Sequence, residues 1–138
     1  MRVDDCIFCK IANGDIPSAT VYEDDYFRAI MDIAPAKKGH VIILAKNHVA
    51  NIFELDKETG ERALLVASKV ASAVKKALDC DGVNVLQNNG EAAWQSVFHL
   101  HIHIIPRYKD DNLTFPWSHE EYAEGEAAEY AKRIAACL

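Results

Sequence analysis

The strictest alternation of polar and apolar positions in the chain is His99-Leu-His101-Ile-His103-Ile-Ile-Pro106. A period of two sends three imidazoles to one face of a strand and Leu100, Ile102 and Ile104 to the other. That strand is predicted over 100–105, with Pro106 ending it. Shorter β-branched or apolar runs predict strands over 20–23 and 27–32, joined as a hairpin by Asp24-Asp25, and a central strand over 40–45 after the turn at Pro35 to Gly39. A further strand is read over 83–87, before the turn Asn88-Asn89-Gly90. Between these runs the period changes to that of a helix. Asp56 can cap it, Glu58 and Glu61 suit its first turns, and Leu64, Ala67, Ala71, Val74 and Leu78 recur as its core stripe. Ala63, Val66, Val70 and Ala73 form a second apolar stripe, suited to a partner surface. A last helix is expected over 119–136. The early connections are too short for parallel crossovers, so the pattern predicts an α+β domain with a largely antiparallel sheet of about five strands, one long helix and a C-terminal helix.

Composition narrows the class. The 138 residues, half of them hydrophobic, suit one domain with a real core. A formal charge of −6 has the wrong sign for a nonspecific nucleic-acid binder or a ligand of anionic membranes. No run approaches a membrane span, and the opening Met-Arg-Val-Asp-Asp-Cys lacks an apolar signal core, so a cytoplasmic protein is expected. In that reducing setting Cys6-Ile-Phe-Cys9 reads as a metal knuckle or a redox pair rather than part of a disulfide framework, while Cys80 and Cys137 read as packing or exposed thiols.

The histidine strand supports two chemistries. Two or three imidazoles can bind a catalytic zinc that activates water. Alternatively, one neutral imidazole is itself the nucleophile toward an activated phosphorus, forming a phosphoramidate that water cleaves.

Taken together, the histidine strand, the upstream Cys6-Ile-Phe-Cys9-Lys-Ile, the Asp32-Ile-Ala-Pro35 turn and Asn88-Asn-Gly90 before Gln95-Ser96 resemble the histidine triad (HIT) nucleotide-binding superfamily, specifically its HINT-like bacterial branch. The similarity spans about residues 6–108, which leaves 109–138 as a variable C-terminal extension of a single HIT domain over 1–138. The resemblance implies that His101 attacks the α-phosphate, that His103 contacts the scissile phosphate and leaving group, and that His40 supports the reacting imidazole. It assigns Ser96 and Gln95 to phosphate contact, Asn88 to the ribose and phosphate, and Asp32 to the ribose hydroxyls with Ile33 beside it. Ile7, Phe8, Ile11 and Ile16 match the apolar cleft for the base. Ala93-Trp94 departs from the small glycines that often precede Gln-Ser in the animal proteins, and Trp94 there can narrow the leaving-group side or stack on a substrate. Trp117 is read as a core or dimer contact in preference to a pocket edge.

The same resemblance nominates Cys6, Cys9, His48 and His99 as the ligands of a structural Zn2+, which commits His99 and leaves His101 and His103 free for phosphorus chemistry. It implies a homodimer acting on a purine nucleotide of the AMP or GMP type, as a purine nucleoside phosphoramidase. Two other functions fit the residues: hydrolysis of dinucleoside polyphosphates, and nucleotide binding in an interaction protein whose catalysis is incidental.

Overall fold

A computed structural model describes residues 1–115 and 118–138, so the expectation for Trp117 lies outside the described residues. The chain runs α1 (Ile7–Ala12), β1 (Thr20–Glu23), β2 (Phe27–Met31), β3 (Val41–Ala45), α2 (Lys57–Leu78), β4 (Gly82–Leu86), β5 (His101–Arg107) and α3 (Glu126–Ala135), with 3-10 turns at Ile52–Glu54 and Glu91–Ala93. The five strands form one sheet in the order β1-β2-β3-β5-β4, with every neighbouring pair antiparallel. Both the α+β architecture and the central place of β3 therefore match the hydrophobic pattern. Among the described residues no helix is long and apolar enough to cross a membrane.

β3 is apolar at every position because both of its faces are covered. On one side Val41, Ile43 and Ala45 join Phe27, Ala29, Leu100, Ile102 and Ile104 beneath Val66, Ala67, Val70 and Val74 of α2. On the other, Ile42 and Leu44 join Ile30 beneath Ala12, Phe8 and Ile11 of α1. The β1–β2 turn is set by Asp24, whose Oδ1 accepts from the backbone N–H of Tyr26 and Phe27 at 2.8 and 2.7 Å.

Four boundaries or faces differ from the sequence reading. β5 runs through Pro106, which pairs with Val83. Pairing with β3 has ended at Ile104 opposite Val41, so the missing N–H falls where the strand has a neighbour on one side only. In α2 the inward stripe is Val66, Ala67, Val70 and Val74, whereas Leu64, assigned to the core, is 76% exposed. The inward face takes Ala67 and Val74 from the expected core stripe but Val66 and Val70 from the stripe expected at a partner surface, because the two stripes overlap and periodicity alone does not choose between them. α3 starts at Glu126, because Gly125 at φ 77° cannot continue a right-handed helix from 119. Finally, α1 was not expected. Its six residues are below the length at which a helical period is readable, and its cap is Cys6, whose Sγ accepts from the Cys9 N–H at 3.4 Å.

Gly39 occupies the turn before His40. It has φ 98°, a backbone conformation that favours glycine, and a Cβ there would meet the end of the Leu78 side chain of α2, which would have to shift.

Candidate active site

The antiparallel register gathers the reactive side chains. Ile42 on β3 lies opposite His103 and Leu44 opposite His101, while Asp32 follows directly after β2 and its N–H donates to the His40 carbonyl at 2.9 Å. Beside them opens a cleft of about 570 Å3. Ile7, Phe8, Ile11 and Ile16, all expected at the base site, line it with Asp32, Ile33, Ser96, His101 and His103. Pro17, Ser18, Ala19, Ile30, Met31, Ala34 and Ile42 also line it and were missed. For Ile30 the signal was present, since alternation on β2 puts it on the face of Asp32; Ile42 needed the strand pairing.

The hydrogen bonds assign the imidazole tautomers. The His101 Nδ1 lies 2.6 Å from the His99 carbonyl, which can only accept, so Nδ1 carries the proton and Nε2 keeps a free lone pair. The Ala36 N–H donates to His40 Nδ1 at 3.1 Å, so neutral His40 carries its proton on Nε2. That N–H meets His103 Nδ1 at 2.9 Å, which leaves His103 protonated on Nε2. One ring thus offers a bare lone pair on Nε2 and its neighbour an N–H. Their ring centroids are 4.9 Å apart, and Phe8 packs edge-on against His101 at 5.0 Å.

Burial holds these rings neutral, since removing a charged imidazole from water is costly. It pushes His101 below the ordinary histidine range against the opposing bond to the His99 carbonyl and the charge of Asp32. His103 falls to about 4, chiefly from burial and then from repulsion by His101 and His40. His40 is lowered by burial and partly restored by Asp32, 3.6 Å away.

Asn88 and Gln95 do not line the cleft. Gln95 is buried and its amide is committed: Oε1 accepts from the Gly90 N–H at 2.8 Å, and Nε2 donates to the carbonyls of Ala50 and Val97. It braces the loop that carries Ser96. Among the described residues Ser96 Oγ has no hydrogen-bond partner, so its hydroxyl is available to a ligand. Trp94 precedes this brace at φ 68°, an uncommon conformation for a bulky side chain, and is 64% exposed.

Below the triad lies a second constellation. Cys6 and Cys9 at the start of α1, His48 after β3 and His99 before β5 place one ligand atom each within 4.8 Å of all the others. Cys6 Sγ is 3.3 Å and Cys9 Sγ 3.6 Å from His99 Nδ1, Cys9 Sγ is 3.4 Å from His48 Nδ1, and the two Nδ1 atoms are 3.2 Å apart. A tetrahedral ion with ordinary Zn–S and Zn–N bonds spans edges of about 3.6 Å between S and N and about 3.3 Å between two N. The His99 Nε2 proton is held by the Ala45 carbonyl at 2.6 Å, so its Nδ1 faces the cluster as a bare lone pair. The chemistry and spacing of these four donors fit a metal. Asp32, His40 and His103 also converge, but the His40 proton already fills the space between the two rings, which marks a hydrogen-bonded set instead of a cation site.

Comparison with known proteins gives a consistent picture. The HIT domain family model matches residues 13–110. The chain is 46% identical to Protein hit of Bacillus subtilis over 83% of this chain and 79% of that one, and 43% identical to adenosine 5'-monophosphoramidase of Schizosaccharomyces pombe over 77% of each. The crystal structure of a HIT family member from Bacillus subtilis superposes with a TM-score of 0.92 at 40% identity, covering 98% of both chains. A zinc-bound histidine triad family protein from Mycobacterium smegmatis superposes at 0.76 with 34% identity, over 96% of this chain and 97% of that one.

Proposed function

The chain belongs to the HIT domain family, and on that premise we propose that it is a nucleotide hydrolase that cleaves the α-phosphate of purine nucleoside 5'-phosphoramidates through a nucleotidyl-histidine. The observation that carries this reading is the free Nε2 of His101, held toward the cleft by the bond from Nδ1–H to the His99 carbonyl. A neutral imidazole beside Ser96 and the Nε2–H of His103 suits attack at a phosphoryl group. The monophosphoramidase of Schizosaccharomyces pombe supports the choice of an amine leaving group.

In this mechanism the base enters the apolar wall of Phe8, Ile11 and Ile16, and Asp32 accepts from the ribose diol. His101 Nε2 bonds to the α-phosphorus as the P–N bond to the amine breaks; the amine leaves with a proton taken from solvent, while the neutral Nε2–H of His103 donates a hydrogen bond to the charge that develops on the phosphoryl group. Water then cleaves the new P–N bond, which releases the nucleoside monophosphate and frees His101. The site is best suited to zinc at Cys6, Cys9, His48 and His99, where four protein ligands complete a closed structural centre. Bound there, the ion supplies a fixed point for the segment bearing His99, two residues from the nucleophile. Leu64 and Leu65 on α2 and the free edge of β4 at Val85 supply the surface for a homodimer, which sedimentation tests. A cytoplasmic location completes the proposal.

The test is steady-state hydrolysis of an AMP–amine conjugate by wild type and His101→Ala. Turnover is expected to vanish in the variant with the fold intact by circular dichroism; equal turnover refutes the nucleophile.

A further inference from the structure

The two thiols of the Cys6 and Cys9 pair sit at different depths. Cys9 is fully buried, at 0% exposure, whereas Cys6 is only partly buried and lines an open groove of about 380 Å3 together with Val3, Asp5, His48 and Phe98. A small molecule in that groove meets the sulfur of Cys6 and not that of Cys9. Among the described residues the other cysteines, buried Cys80 and exposed Cys137, belong to no such cluster.

The backbone has already brought the two sulfurs together. Cys6 caps α1 and Cys9 lies within its first turn, and the Cys9 N–H donates to Cys6 Sγ at 3.4 Å, so the Cys6 side chain folds back over that turn. Both sulfurs belong to the set of ligand atoms that lie within 4.8 Å of one another. A disulfide between them asks for side-chain rotation across one helical turn and no rearrangement of the strands. The same rotation draws sulfur away from the imidazoles. Cys6 Sγ is 3.3 Å and Cys9 Sγ 3.6 Å from His99 Nδ1, and Cys9 Sγ is 3.4 Å from His48 Nδ1. A sulfur bonded to sulfur is no longer a thiolate ligand, so oxidation leaves two imidazoles where four donors stood.

Charge selects the oxidant. Among the described residues no lysine or arginine lines the groove, and Asp5 adds negative charge. An anionic disulfide is disfavoured there, and a small neutral hydroperoxide is not. We propose that Cys6 and Cys9 form an oxidation site for hydroperoxides, and that its closure to a disulfide releases the metal held with His48 and His99. The Cys6 sulfur attacks the peroxide and breaks its O–O bond, giving a sulfenic acid and water; the Cys9 sulfur then attacks Cys6 and displaces the hydroxyl as a second water. The two thiolates give up two electrons, and the peroxide takes them with two protons from solvent. The inference rests on the metal reading above and adds the condition under which the ion leaves.

The test loads wild type with zinc, checks its content by elemental analysis and adds hydrogen peroxide. One equivalent of zinc is expected to pass to a chromogenic chelator in step with the loss of two hydrogens from the peptide bearing Cys6 and Cys9, and the melting temperature is expected to fall to that of chelator-treated protein. Dithiothreitol with added zinc should restore all three. In Cys9→Ser the sulfenic acid should persist on Cys6 and be captured by dimedone, whereas in Cys6→Ser the buried Cys9 should stay unlabelled; circular dichroism checks that both variants fold. Zinc-loaded protein whose pair stays reduced while Cys137 is oxidised, a disulfide that forms with zinc retained, or dimedone on Cys9 instead of Cys6 overturns the oxidation site and leaves the metal reading standing. Wild type that takes up no zinc overturns both.

Discussion

Stripping the metal proposed for Cys6, Cys9, His48 and His99 should cost the fold a measurable share of its stability. The four donors come from three separated segments, and their spacings of 3.2 to 3.6 Å already match a tetrahedron, so the unfolded chain offers nothing comparable. An ion bound only to the folded state adds about 2.7 kcal/mol when its free concentration is about 100 times its Kd. At about 2.1 cal/mol/K per residue, a chain of 138 residues has an unfolding entropy of about 290 cal/mol/K. The quotient is a rise in Tm of about 9 °C. Differential scanning calorimetry of protein loaded with zinc and of protein treated with a chelator measures it, with elemental analysis of the same samples. Cys9→Ser, which replaces a soft thiolate ligand, should abolish the difference. Identical melting points in metal-free and zinc-supplemented protein, or an undiminished shift in Cys9→Ser, would refute the reasoning.

His40→Ala removes the donor to His103 Nδ1 and the acceptor for the Ala36 N–H; kcat should fall about tenfold, the worth of one hydrogen bond of roughly 1.4 kcal/mol. Nitrogen NMR of the imidazoles should then show His103 losing its single Nε2–H tautomer, and an unchanged spectrum would contradict the assigned chain of bonds. Because His101 and His103 are held neutral by burial, the acid limb of kcat/KM should lie below the ordinary histidine value of about 6.5. The folded pKa of His103 lies near 4, below its unfolded value, so its contribution to stability is complete above about 6.5 and is lost as pH falls from there toward 4. An acid limb at or above 6.5 would show a ring exposed to water. Gly39→Ala should lower stability by roughly 1–3 kcal/mol in denaturant titration, and Gly39→Ala with Leu78→Ala should retain the part due to φ 98°. A neutral Gly39→Ala substitution would mean that the turn relaxes freely.

The residues that were legible in the sequence are those whose local pattern matches their local surroundings. β3 is apolar throughout and lies at the centre of the sheet; Asp56 caps α2 by accepting from the Thr59 N–H at 2.9 Å. The face of α2 was less legible, because its two apolar stripes compete and only the sheet decides that Val66 and Val70 turn inward. Pro106 misled for the same reason: whether a strand tolerates proline depends on its neighbours across the ladder. At the site, His101 and His103 declared themselves by alternation and Cys6 and Cys9 by spacing, but the direction of the protons along Ala36, His40 and His103 is a property of tertiary hydrogen bonds. Gln95 shows the opposite limit. Its neighbourhood pointed to phosphate, whereas its amide is bonded to Gly90, Ala50 and Val97, so it serves the loop that presents Ser96.

The central claim is a covalent bond from His101 Nε2 to phosphorus. Rapid quenching of the enzyme with an AMP–amine conjugate, followed by peptide mass spectrometry under alkaline conditions that preserve phosphoramidates, should find one adenylyl group on the peptide bearing 101, localised to that residue and lost in His101→Gln. Full turnover with no adduct in the burst phase, or an adduct on His103 or His99, would contradict it.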